Sequence, residues 1–195
     1  DQRSTGAGIG KPVIRGLSGN RVVVYAQGIR IENQQWGDEH GLGIGDVGIE
    51  SVELIKGPSS LLYGSDALGG VLFFVDDRYT TQNNYEGFVE TKFLSNTLGT
   101  YNSAGFKINQ NGLKLNVFGN YVSNIDYKIP TNNRVFNSRF NQSNFKASLG
   151  YNVKKWTTNF RFSYLKNDFG ITEEDSLYSA ATNRNPTTPF QIISN

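Results

Sequence analysis

The chain has 195 residues, no cysteine, a single histidine and a formal net charge of +2. These values exclude a disulfide framework, a thiol nucleophile and a thiolate metal site, and they give no basis for binding nucleic acid or acidic lipid. No stretch approaches the roughly 18 apolar residues of a membrane-crossing helix, and no charged-then-apolar signal pattern opens the chain. In chain order, residues 21–31 and 49–56 are predicted as strands, separated by a polar, glycine-rich loop over residues 32–45. Gly57-Pro58 breaks the second strand; a short turn over residues 59–63 and a glycine-rich bend then lead into another apolar strand. Further on, odd residues from Tyr85 to Phe93 alternate with Glu86, Glu90 and Lys92, and Ala104, Phe106 and Ile108 alternate with Gly105 and Lys107. The same period-two pattern runs through residues 113–121, 145–151 and 156–164. Asn111-Gly112 is a strong hairpin signal, because a type I′ turn needs positive φ at both centres. Residues 153–155 make a second short turn, residues 123–143 and 166–195 read as long polar loops, and residues 96–100 form a short link. The expectation is a mainly β fold. On the strand pattern alone, a soluble antiparallel sandwich and a transmembrane barrel fit equally well.

Three blocks narrow the choice. Val13-Ile14-Arg15-Gly16, then residues 21–30 (Arg-Val-Val-Val-Tyr-Ala-Gln-Gly-Ile-Arg), then residues 49–75 with Glu53-Leu54-Ile55-Lys56-Gly57-Pro58-Ser59-Ser60-Leu61-Leu62-Tyr63-Gly64 and Gly69-Gly70-Val71 follow one another. In order and spacing they resemble the plug domain of TonB-dependent outer-membrane receptors. The chain departs from that pattern at Gln27, where the family usually has Asp, and over residues 73–77. The resemblance implies a small mixed α/β plug over residues 1–78, followed over residues 79–195 by about five antiparallel strands of an outer-membrane β-barrel. Short turns at one end of those strands and long loops at the other agree with periplasmic and extracellular ends. A barrel with a plugged lumen needs about 22 strands, so the chain is expected to be an internal piece of a larger receptor. The cell outer membrane of a Gram-negative bacterium is the expected location.

Candidate site residues fall in two groups. Trp36, Asp38, Glu39 and His40 place a large aromatic, two carboxylates and the only imidazole in one loop, and the resemblance implies that such loops rise to the apex where cargo binds. Asp38, Glu39 and His40 are candidate metal ligands, His suiting transition metals and carboxylates harder cations, although solvated side chains account for them equally simply. Arg15, Glu53 and Lys56 are the second group. The resemblance implies that such charges pair with the inner barrel wall; ordinary solvated charges are the alternative.

Enzymatic readings fail on the residues. No Gly-x-Ser-x-Gly elbow exists, residues 6–11 lack phosphate-loop spacing, and residues 41–45 lack a strand-to-helix context. Two functions remain. One is energised uptake of an iron- or metal-containing compound such as a siderophore or haem, with TonB on the periplasmic side, outer-membrane lipid around the barrel and no resident cofactor. The other is a surface binding or assembly component that uses the same fold without transport. The plug end at residues 56–64 looks like the siderophore, haem, cobalamin and metal branch rather than the glycan branch.

Overall fold

The computed structural model describes residues 2–6, 9–32, 42–153 and 156–170. A short ribbon of β1 (Gln2–Gly6) and β2 (Ile9–Pro12) precedes two larger sheets. The first contains β3 (Val22–Ala26), β4 (Ile29–Ile31), β5 (Ile49–Ile55) and β6 (Gly70–Asp76), in the order β4-β3-β6-β5. Within it β3 and β6 are parallel and the other neighbours antiparallel. A parallel central pair has no wet face to spare, and Val22, Val23, Val24 and Val71 are accordingly sealed. The Gln27-Gly28 turn joining β3 to β4 has φ of 55° and 78°. The family's Asp suits that conformation better than Gln27 does, because a short polar side chain tolerates positive φ.

Between β5 and β6 the chain makes a 3-10 turn, Gly57–Tyr63, with Pro58 at its start. Ser60 is buried there, its hydroxyl 2.8 Å from the Gly57 carbonyl and 2.9 Å from that of Ala67. That closure lays Ala67 and Tyr63 on Val23 and Val71, and Tyr25 stacks on Phe73 at 5.9 Å.

The second sheet is an antiparallel meander of β7 (Asn84–Leu94), β8 (Gly99–Gln110), β9 (Leu113–Asn124), β10 (Phe140–Val153) and β11 (Trp156–Phe169). At about 3.3 Å per residue, even 11 residues reach about 36 Å, enough to cross a hydrocarbon layer of about 30 Å with tilt. Val89, Phe106, Phe145, Leu149, Phe160 and Phe162 share one face and all are exposed. The opposite face carries the buried residues Asn116, Asn120, Asn144, Lys146 and Ser148. A sandwich would cover the apolar face with the other sheet. Here, among the described residues, those at 45–50 and 76–80 pack on the polar face, so the apolar one is left for lipid.

Several of the long strands run further than alternation alone shows. β8 starts at Gly99, five residues before Ala104; β10 starts at Phe140 and β11 continues to Phe169. Asn141 to Asn144 and Lys166 to Asp168 are polar on both faces, so no period is visible, yet the ladder pairs Phe140 with Phe169 and Asn144 with Leu165. The loop expected over residues 123–143 therefore shortens to residues 125–139, and residues 166–169 belong to a strand. The shortened loop is built rather than slack. Asp126 accepts the backbone N–H groups of Ser138 (3.0 Å) and Arg139 (2.9 Å) and pairs with the Arg139 guanidinium at 3.2 Å. Asn96, in the turn between β7 and β8, exchanges two hydrogen bonds with the Lys128 backbone. At the other end, Asn111 and Gly112 have φ of 51° and 83°, the expected tight hairpin.

Candidate functional site

Trp36, Asp38, Glu39 and His40 lie outside the described residues. The two stems of their loop are described, and they attach to different bodies. On the incoming stem, the Arg30 guanidinium lies 2.6 Å from Asp66 and 3.1 Å from Glu32, tying β4 to the turn after Tyr63. That hydrogen bond from Arg30 holds the Asp66 carboxyl below its ordinary range. The outgoing stem meets the long-stranded wall. Asp46 accepts from Asn120 Nδ2 at 2.6 Å and from the Tyr101 hydroxyl at 3.2 Å. Arg15, Glu53 and Lys56 are exposed, and no side-chain ion pair joins them to the wall among the described residues.

The contacts between the two sheets fall instead on residues 46–50 and 76–80. Lys146, on β10, reaches the Asp76 carboxylate at 2.6 Å and the Gly48 carbonyl at 3.0 Å. Arg161, on β11, lies 3.5 Å from the other Asp76 oxygen, close enough for attraction but outside hydrogen-bond geometry. Lys107, on β8, holds Asp77 at 2.6 Å. Asn116 donates to the Asp77 carbonyl at 3.0 Å, and Asn109 donates to the Thr80 carbonyl at 2.8 Å. Arg78 pairs with Glu50 at 3.0 Å, joining the two stretches to each other.

Backbone shape makes this approach feasible. A Cβ on Gly45 would lie 1.7 Å from Asn144 Nδ2, and one on Gly48 would lie 2.5 Å from the Phe118 ring. Gly48 also has φ of 66°, which residues with a side chain resist. Beyond the linker, Tyr79 packs over Gly150, and burial raises its phenol above the ordinary value.

Residues 2–71 match the TonB-dependent Receptor Plug Domain family. That stretch, about a third of the chain, is similar to the plug of TonB-dependent receptors. Heme/hemopexin utilization protein C of Haemophilus influenzae (strain 86-028NP) is 48% identical over 62 residues, 32% of this chain and 9% of that one. The iron-regulated outer membrane virulence protein of Vibrio cholerae serotype O1 (strain ATCC 39541) is 31% identical over 119 residues, 54% of this chain and 18% of that one. The chain thus spans less than a fifth of the length of either relative. The solved copper transporter OprC shares the fold at a TM-score of 0.71 and 17% identity, over 88% of this chain and 27% of that one. That likeness extends well past the plug into the wall strands. The chain shares its fold with that solved structure across both the plug-like sheet and the long-stranded sheet.

Two features of the sequence mark the seam residues once the faces are known. Lys107 and Lys146 are cations on the polar face of otherwise modest strands, and Asp76-Asp77 is a pair of acids at the exit of an apolar strand. What the sequence withholds is their pairing, since Asp76 and Lys146 are 70 positions apart. Chemically the seam is a holding device. Each buried charge has an opposite partner, which a low-dielectric site demands.

Proposed function

We propose that the protein is a receptor for energised uptake of an iron- or metal-containing compound, a siderophore, haem or similar, across the outer membrane. In this reading residues 1–78 form the end of the plug, residues 79–195 the opening barrel strands, and TonB acts on the plug from the periplasm. The observation that carries it is the 48% identity to the heme/hemopexin utilization protein over 62 residues. The residues of that branch-type plug end, Lys56 to Gly64, agree with it. No resident cofactor or catalytic step is required, and the metal enters as cargo.

Trp36, Asp38, Glu39 and His40 are proposed to face the cargo. Asp46, just downstream, holds the wall at Tyr101 and Asn120, toward the end where the loop over residues 125–139 lies. That end is extracellular in this reading, and the Asn111-Gly112 end periplasmic. Coordination by His40 needs neutral imidazole, so cargo binding is expected to weaken as pH falls through about 6.5. The test is haemin uptake by cells expressing the receptor, with and without TonB, and with Asp38→Ala and His40→Ala. Uptake that needs TonB and falls in both variants supports the reading. Uptake and affinity unchanged in the variants would remove the loop's role. Tight oligosaccharide binding without affinity for a metal complex would overturn the cargo class, and binding without TonB-dependent uptake would favour a surface binding component.

A further inference from the structure

Lys146 touches both plug stretches at once. Its Nζ bonds the Asp76 carboxylate at 2.6 Å and the Gly48 carbonyl at 3.0 Å, with only a tenth of the side chain exposed. The same Gly48 carbonyl accepts the backbone N–H of Asp77 at 3.0 Å, and Asp77 holds Lys107. Val47, between Asp46 and this junction, is 5% exposed. The outer contact is more open: Asp46 is exposed and its bond from Tyr101 lies in water, while its other donor, Asn120, is buried. Exposed polar contacts exchange readily with solvent, whereas a buried ammonium with two acceptors has no substitute partner to hand. Pulling the plug therefore meets the more open contact at Asp46 first and the enclosed ammonium immediately after it.

We propose that Lys146, seconded by Lys107, makes residues 47–50 and 76–80 a fixed anchor on the barrel wall. Displacement of the plug during a transport cycle then ends at Asp46, and the chain from Val47 onward stays seated. Lys146 is a positioning residue in this scheme, acting through Gly48 and Asp76. The inference rests on the uptake reading, but its test is partly independent of it.

A single cysteine at Val47→Cys reports the anchor through its reactivity to a small water-soluble maleimide, in resting cells and in cells taking up haemin. The expected result is protection in both states, and labelling at least ten-fold faster once Lys146→Gln is added. Lys146→Arg should restore protection, which a general loss of folding would not allow. Asp76→Asn serves as the second variant should Lys146→Gln fail to reach the membrane. Labelling of Val47→Cys during uptake at otherwise native sequence would overturn the anchor, as would continued protection in Lys146→Gln or Asp76→Asn. If the native receptor takes up no haemin, the uptake reading fails, while the resting-state comparison of native and Lys146→Gln still decides whether the ammonium holds the seam.

Discussion

In the plug sheet the sealed side chains are Val22, Val23, Val24 and Val71; in the wall sheet the buried ones include Asn116, Asn120, Asn144 and Lys146. The two sheets are built by the same backbone rules and filled by opposite ones. The plug behaves as a small water-soluble core, with apolar side chains inside and charges outside. The wall exposes Val89, Phe160 and Phe162 and hides its amides. Water would penalise that arrangement at roughly 1.5–3 kcal/mol per large side chain, so the wall is stable only where hydrocarbon replaces water on its outer face. The polar inner face is then free to hold the plug by bonds that can be broken singly.

The sharpest way to break this contrast is to spoil the close approach. Gly48→Val places a side chain against the Phe118 ring in a left-handed conformation. Overpacking together with the backbone penalty is expected to cost about 4 kcal/mol, read as a lowered midpoint of urea unfolding. Gly119→Ala is the control: its added carbon would meet only Asn144 O at 3.7 Å, and a change under about 0.5 kcal/mol is expected. Next, Val89→Arg on the outer face should cost about 3 kcal/mol in a bilayer, the depth-dependent penalty of a lipid-facing charge. A neutral result would mean that this face meets water. Lys146→Ala follows at about 2 kcal/mol, because Asp76 keeps Arg161 nearby and is only partly abandoned. Asp126→Asn should loosen the loop over residues 125–139 by about 1 kcal/mol, seen as faster limited proteolysis there with the strands unaffected.

The smallest effect concerns pH. The folded Asp66 carboxyl sits below its ordinary value of 3.8 because Arg30 donates to it. Its contribution is therefore fully present above that value and fades as pH falls through the lowered one. Arg30→Ala should flatten the acid limb of plug stability; an unchanged limb would show that the pair holds nothing.

How much of this was legible differs between the two sheets for physical reasons. The wall strands announce themselves where one face must be apolar, as from Leu113 to Tyr121 and from Trp156 to Tyr164. Toward the loop end that demand lapses, and Asn141 to Asn144 give no period to read although they are strand. The plug was readable through its glycines and its three blocks. The seam was not, because Asp46 meets Asn120 across 74 positions and Asp76 meets Lys146 across 70. Lone asparagines and lysines on a wet-looking face carry no local sign of their partners.

Part of the seam is fastened by side-chain amides that meet backbone carbonyls: Asn116 donates to Asp77, and Asn109 to Thr80 just beyond the plug. An amide neither titrates in any biological range nor carries a net charge for ions to screen. Those fastenings keep their strength when a bacterium moves from fresh water to brine, or from neutral to acidic surroundings. The ion pairs of Lys146 and Lys107 lack that indifference to salt, so the amides are the part of the seam whose hold does not vary with the medium.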